Sequence, residues 1–104
     1  MATADLTVLA LGRPQLSASE YIAEIQRRLR EQDRVRFQMH AMGTSLEGTT
    51  EDILAVVGEL HSVPFEQGVQ RVYTVLKLDE RRDRPGQTLD DKVRSVEDRL
   101  GGDI

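Results

Sequence analysis

The chain has 104 residues, and this length predicts a single domain that spans residues 1–104. The formal net charge of −4 argues against a general nucleic-acid binder, because such proteins normally carry a basic field. The absence of cysteine excludes disulfide frameworks, thiolate nucleophiles and cysteine-ligated metal sites.

The first residues lack both a basic segment and a long apolar run, so we expect no signal peptide, no membrane contact and a cytoplasmic protein. Asparagine is also absent, which excludes catalytic schemes that depend on its side-chain amide. There is no glycine-rich phosphate loop and no local Ser/His/Asp signature. The residues therefore offer no support for enzymatic activity, and we expect no cofactor.

Residues 6–11 are aliphatic on both faces and predict a strand, which the following Gly-Arg-Pro segment interrupts. Residues 17–32 then predict a helix, since Ser17 and Glu20 have the spacing of a capping box. Apolar residues recur along this helix at helical spacing: Tyr21, Ile22, Ile25 and Leu29.

Residues 35–42 alternate between apolar and polar side chains, which predicts a strand with one face on the core. We expect Gly43 and Gly48 to be turn residues on either side of a short strand. Thr49 is expected to cap a second helix, which should end near residues 61–68, where a proline and a glycine oppose continuation.

Residues 71–79 predict another strand, and a narrow apolar stripe beyond the charged loop that follows predicts a third helix. The stripe consists of Leu89, Val93, Val96 and Leu100. The order of elements predicts an α+β fold of the ferredoxin-like, split βαβ type (βαββαβ) with an additional C-terminal helix.

Two helices can cover one face of a four-stranded sheet, which leaves the second face to be explained. That face is mixed, since Tyr73 and Val75 lie on it together with Arg36 and Gln38. Cover by the last helix, contact with another subunit and a ligand cleft are all compatible with this mixture. We favour a subunit interface and expect a homo-oligomer, a dimer or tetramer joined through sheet faces.

The segment "HAMGTSLEGTTED", residues 40–52, is rich in glycine and hydroxyl side chains. One interpretation is a polar lip in which Thr44, Ser45 and Glu47 contact a small ligand. The other is structural, with two turn glycines and a threonine cap. Spacing alone favours the structural interpretation.

A second candidate is the segment before the first helix, where free backbone N–H groups suit an anion or a polar ring. Ser17 and Ser19 lie there, although a cap and an exposed first-turn residue also explain them.

A third candidate is residues 77–84, in which Lys77 and Asp79 precede three arginines. The arginines can clamp a phosphate or carboxylate, but the interleaved acids favour a self-neutralising salt-bridge cluster. The histidines, His40 and His61, lie on separate elements without a third ligand nearby, so we expect no metal site.

Four segments together identify a resemblance: "LTVLALGRPQLSASEYIAEIQRRLRE", "MHAMGTSLEG", "GVQRVYTVLKLDERRD" and "KVRSVEDRL". In this order and at these distances they resemble the small thiamine-binding protein family with a ferredoxin-like fold, long catalogued as an uncharacterised protein family. The resemblance covers about residues 5–100.

The resemblance implies dimers that pair into tetramers through their sheets, and binding of thiamine or its hydroxymethylpyrimidine portion without turnover. It maps the polar ligand positions onto Ser17, Ser19, Thr44, Glu47, Lys77 and Asp79. Tyr73 is the aromatic residue expected nearest a flat ring, or else at a subunit contact. The family's first strand usually runs into "PLGT", whereas this chain has "ALGRP", so Arg13 replaces a threonine and can shift specificity toward an anionic compound.

Two hypotheses follow. In the first, the chain binds thiamine or a pyrimidine precursor near a subunit junction, where hydroxyl groups and the Glu47 carboxylate hold the ligand. In the second, it is a homo-oligomeric interaction protein without a small-molecule ligand. A phosphate-ester hydrolase is a weaker third possibility, which the missing asparagine disfavours.

Overall fold

The computed structural model describes residues 1–12 and 18–101. The described elements are β1 (Ala2–Leu11), α1 (Ala18–Arg30), β2 (Arg36–His40), β3 (Gly43–Gly48), α2 (Thr50–Glu66), β4 (Arg71–Glu80) and α3 (Leu89–Gly101). No helix among these residues is long and apolar enough to cross a membrane.

The four strands form one antiparallel sheet in the order β2-β3-β1-β4. β1 pairs with β4 along its whole length, from Ala2–Glu80 to Leu11–Arg71, but its pairing with β3 ends at Leu6–Thr44. The α+β, ferredoxin-like fold with an additional C-terminal helix is therefore confirmed.

The core lies between the sheet and two helices, α1 and α2, which pack on the same face. Its most deeply buried side chains are aliphatic, and Leu29, Leu46 and Ile53 are completely buried. Burying one such side chain contributes roughly 1.5–3 kcal/mol, so aliphatic contacts carry most of the stability of a chain with few aromatic residues.

The opposite face of the sheet is called the open face below. Because side chains alternate along a strand, it carries the residues that are out of phase with the core. They are Thr3, Asp5, Thr7 and Leu9 of β1, Arg36, Gln38 and His40 of β2, Ser45 and Glu47 of β3, and Tyr73, Val75, Lys77 and Asp79 of β4.

The first strand begins at Ala2, four residues earlier than the sequence predicts. Ala2 and Ala4 are buried in the core, and Thr3 is buried on the open face. Small residues lack the strong apolar alternation that predicts a strand, and here the pairing of β1 with β3 and β4 determines the structure instead.

The prediction that Gly43 and Gly48 are turn residues is wrong. Both lie inside β3 and neither has a positive φ, whereas Gly12 and Gly68 do. At Gly43 a Cβ atom would lie 2.5 Å from the backbone oxygen of Leu6. Glycine is therefore required there because β3 approaches β1 closely, and the chain turns instead at residues 41–42.

The second helix begins as predicted, because the Thr49 side chain accepts a hydrogen bond from the backbone N–H of Asp52. It continues through Pro64, which lies in the last turn, and ends at Glu66. Gly68 follows with φ 89°, a conformation that favours glycine and leads the chain toward β4.

The third helix starts above the open face but does not pack along it. Every described residue from Val93 to Gly101 is exposed, including the apolar Val96 and Leu100. Thr88 and Asp91 form a capping box at its start: each backbone N–H donates to the other side chain. The attachment of α3 to the sheet is therefore concentrated in its first turn.

A candidate ligand cleft between the first helix and the β2–β3 hairpin

A cleft of about 650 Å³ opens where the sheet is incomplete. The ladder between β1 and β3 stops at Leu6–Thr44, while β1 continues to Leu11 alongside β4. The edge of β1 beyond Leu6 therefore faces the first turns of α1 and the end of the β2–β3 hairpin. The cleft lies between these three elements.

The walls of the cleft are mainly apolar. Its larger aliphatic lining residues and its methionines are Leu6, Val8, Leu9, Ile22, Ile25, Met39 and Met42. Met39 is 58% exposed and Met42 is 81% exposed, and both lie on the exposed half of the β2–β3 hairpin. Methionine side chains adapt to the shape of what they contact, so this wall suits an apolar ligand surface.

Thr44 and Gln26 provide a polar contact in this apolar setting. Thr44 is 5% exposed, and Gln26 of α1 donates a 2.9 Å hydrogen bond from Nε2 to its Oγ1. Thr44 is among the ligand contacts predicted from the sequence, whereas Gln26 is not. Gln26 lies one turn after Ile22, at the border of the apolar stripe of α1. A polar residue at that border is the sequence feature that could have identified it.

Further hydrogen bonds fix the frame of the cleft. The backbone N–H of Ala10 donates to the Tyr21 hydroxyl at 3.3 Å, which ties α1 to the free edge of β1. Thr7 Oγ1 donates to the carbonyl oxygen of Met42 at 3.1 Å and holds the tip of the hairpin. The described residues that line the cleft include no carboxylate.

A histidine at the edge of the cleft contacts an aspartate on the open face. His40 Nε2 lies 2.8 Å from Asp5 Oδ1, and both side chains are about two-fifths exposed. The pair links β2 to β1 across β3, so it stabilises the hairpin on the side opposite the core. Nothing in the described residues brings three or more potential metal ligands together.

Glu47 lies outside this cleft, on the open face. It is 5% exposed; Arg36 Nη1 lies 3.1 Å from its Oε1, and the backbone N–H of Leu89 donates to its Oε2 at 2.8 Å. Both carboxylate oxygens thus have protein partners, and one of them holds the start of α3. The structure does not bring the side chains of Glu47 and Thr44 together.

The three predicted contacts on β4 also lie on the open face. Asp79 pairs with Lys92 of α3, Lys77 is exposed and stands opposite Asp5, and Tyr73 is 54% exposed opposite Leu9. Their role as ligand contacts remains a prediction. Among them Tyr73 is nearest the cleft in register, because Leu9 also lines it.

The two predicted serines belong to the beginning of α1. Ser19 is exposed in the first turn of the helix and does not line the cleft, whereas Ala18 and Tyr21 do. Ser17, with its predicted capping role, and Arg13 lie outside the described residues.

The charged loop after β4 forms local ion pairs, as the salt-bridge interpretation expects. Arg81 Nε lies 3.0 Å from Asp83, and this guanidinium lowers the pKa of the aspartate. Arg82 Nε lies 2.8 Å from Glu80, whose pKa is lowered first by the hydroxyl of Thr50 and then by Arg82. Two of the three arginines are thus already paired with neighbouring acids.

Comparison with known proteins gives consistent results for almost the whole chain. The family model described as thiamine-binding protein matches residues 4–97. A UPF0045 protein of Staphylococcus xylosus is 39% identical over 100 residues, which cover 93% of this chain and 92% of that protein. A UPF0045 protein of Bacillus subtilis is 36% identical over 103 residues, covering 96% and 98%.

Solved structures share the fold. A hypothetical protein of Methanocaldococcus jannaschii has a TM-score of 0.80 and 31% identity, covering 92% of this chain and 95% of that one. A Thermotoga maritima protein, assigned provisionally to thiamine biosynthesis or salvage, has a TM-score of 0.73 and 22% identity, covering 91% and 97%. At that identity the second likeness extends to the fold alone.

Proposed function

The chain belongs to the thiamine-binding protein family, and we propose that it binds thiamine, or the hydroxymethylpyrimidine portion of thiamine, in the cleft between α1 and the β2–β3 hairpin. In this proposal the ligand is held and not chemically changed. The observation that carries it is an apolar cleft in which the buried Thr44 is hydrogen-bonded to the partly buried Gln26.

The dimensions and walls of the cleft support a flat heteroaromatic ligand. Small-molecule sites typically enclose roughly 300–1,000 Å³ and combine apolar walls with a few polar groups. The cleft has about 650 Å³, and its apolar residues come from α1, β1 and the hairpin. A pyrimidine ring can therefore be covered on more than one side without a change in the fold.

The polar groups are few, which suits a ligand whose polar atoms lie along one edge. Thr44 can both donate and accept through its hydroxyl group. Of the predicted ligand contacts, we retain Thr44 first because it lines the cleft. Glu47 is not a ligand contact in this proposal, because both of its carboxylate oxygens have protein partners and one of them holds the start of α3.

Isothermal titration with thiamine, thiamine phosphates and hydroxymethylpyrimidine tests the proposal. Ala18 is exposed at the mouth of the cleft, so Ala18→Trp should fill the mouth and abolish binding. Ala55, exposed on α2 and not among the lining residues, offers the matched control Ala55→Trp, which should bind as the wild type does. No heat from the wild-type protein with any of these compounds would contradict the proposal.

We also propose that copies of the chain associate through the open face, which places the cleft near a subunit junction. Leu9, Tyr73 and Val75 are 41%, 54% and 39% exposed there, and all three are apolar or aromatic. The stripe of α3 adds Val93, Val96 and Leu100, each more than half exposed. Leu9 also lines the cleft, so a partner on the open face would lie beside the ligand.

Light scattering at micromolar concentration tests this association. We expect a dimer or tetramer for the wild type and a smaller species for Val75→Asp, because a charge at the centre of a buried apolar contact is costly. Leu54→Asp, at an exposed leucine on α2, is the control and should keep the wild-type mass. A monomeric wild type would exclude the interface.

A further inference from the structure

We infer that Gln26 is the specificity-determining residue of the cleft and binds the edge of an aminopyrimidine where the exocyclic amine and a ring nitrogen lie side by side. This inference rests on the proposed function and assigns the recognition of the ring to a residue of α1. The sequence suggested the Glu47 carboxylate as a ligand contact. In this inference a neutral amide on α1, which packs on the opposite face of the sheet, makes that contact instead.

The hydrogen bond to Thr44 determines how the Gln26 amide is oriented. A glutamine amide has two N–H groups and a carbonyl oxygen. Gln26 gives one N–H to Thr44 Oγ1 at 2.9 Å, and no other hydrogen bond of its amide occurs within the described residues. One N–H and the carbonyl oxygen remain, and both belong to a side chain that lines the cleft.

This remaining pair is complementary to the aminopyrimidine edge. The carbonyl oxygen can accept from the exocyclic amine while the N–H donates to the neighbouring ring nitrogen. Glutamine recognises adenine by the same two-bond arrangement, since adenine also carries an amine beside a ring nitrogen. The buried hydroxyl of Thr44 is then a positioning group, which fixes the amide before the ligand arrives.

Charge indicates which part of thiamine enters the cleft. The thiazolium ring is a cation, and burying a cation without a partner is costly. None of the described lining residues is acidic, and the carboxylate of Asp5, which contacts the lining residue His40, is already occupied by that contact. The neutral pyrimidine therefore occupies the cleft and the thiazolium stays toward solvent. Free hydroxymethylpyrimidine should keep most of the affinity of thiamine.

The test compares hydroxymethylpyrimidine with its analogue that lacks the exocyclic amine, by isothermal titration. Wild-type protein should prefer the amine by roughly tenfold or more, because losing a two-bond contact leaves the amide unpaired. Gln26→Leu should weaken binding of hydroxymethylpyrimidine and make the two compounds nearly equal. Gln70→Leu changes an exposed glutamine that does not line the cleft and should retain the wild-type preference.

Gln26→Glu is a second variant in case Gln26→Leu fails to fold. Glutamate has the size of glutamine and keeps a hydrogen-bond acceptor, but it lacks the N–H donor. It should bind hydroxymethylpyrimidine more weakly than wild type while gaining relative affinity for cationic thiamine. A preference for the amine that survives both substitutions overturns the inference and leaves the proposed function standing. A wild-type protein that binds neither pyrimidine nor thiamine overturns both.

Discussion

Thr44 and Glu47 lie three residues apart on the same strand, yet they serve two different regions of the molecule. Thr44 faces α1 and, with Gln26, forms the polar contact of the cleft. Glu47 lies on the open face, where it pairs with Arg36 and accepts a hydrogen bond from the first N–H of α3. An odd separation along a strand places two side chains on opposite faces, so neighbours in sequence need not share a ligand.

The two regions also differ in how their polar groups are satisfied. Both oxygens of Glu47 have protein partners, whereas the Gln26 amide retains hydrogen-bonding capacity within the described residues. A buried acid with all partners present is typical of a structural role, while a partly satisfied amide beside an apolar cleft is typical of a binding role. Substitutions in the two regions should therefore affect different properties, stability at Glu47 and ligand binding at Gln26.

The largest effect is expected at Gly43, where the strands converge at the edge of the cleft. Gly43→Ala places a Cβ atom 2.5 Å from the backbone oxygen of Leu6 and should cost about 1–3 kcal/mol of unfolding free energy. Gly58→Ala is the matched control, because nothing lies within 4 Å of its added Cβ atom on α2. It should stabilise by about 0.5–1 kcal/mol. Equal denaturation midpoints for the two variants would contradict the close approach of Gly43 to the backbone of β1.

A second effect concerns the attachment of α3 to Glu47. Glu47→Ala leaves the N–H of Leu89 without its acceptor and removes the partner of Arg36, so we expect a loss of about 1–3 kcal/mol. Amide exchange at the start of α3 should accelerate, while exchange in α1 should not change. Glu97→Ala, at an exposed acid on α3, should leave both unchanged. Protection of Leu89 that persists in Glu47→Ala would exclude the attachment.

The smallest effect is a pH dependence at the start of α3. The backbone N–H and the side chain of Thr88 hydrogen-bond to Asp91 and lower the pKa of its carboxyl group. The stabilisation is therefore complete above the ordinary aspartate pKa of about 3.9 and is lost as the pH falls through the lowered value. Asp91→Asn should be less stable than Asp90→Asn at pH 6, and the two should converge near pH 2. A stability difference between the two variants that persists in acid would show that the charge of Asp91 does not contribute to it.

Much of the fold follows from the sequence because its signals are local. Alternation along residues 35–42 and 71–79 predicts the strands, and the Thr49 cap predicts the start of α2. The failures have physical causes. The first half of β1 consists largely of small residues whose strand structure comes from its neighbours, and Gly43 of β3 is required by close packing.

The candidate site was less accessible to sequence reasoning, because its parts are distant along the chain. Spacing identified Thr44, but its contact with Gln26 joins residues 18 positions apart on different elements. The free edge of β1 depends on where the ladder with β3 ends, which no local pattern reveals. Glu47 was singled out for its polarity, yet its partners come from β2 and from the start of α3.

We propose that the ligand binds on the Thr44 side of the sheet and not on the Glu47 side. Isothermal titration of hydroxymethylpyrimidine into Thr44→Val and Glu47→Gln tests it most directly. Thr44→Val removes a hydroxyl from the cleft and should weaken binding by roughly tenfold, whereas Glu47→Gln should stay within about twofold of the wild type. Binding that Glu47→Gln abolishes and Thr44→Val leaves intact would contradict the claim and place the ligand on the open face.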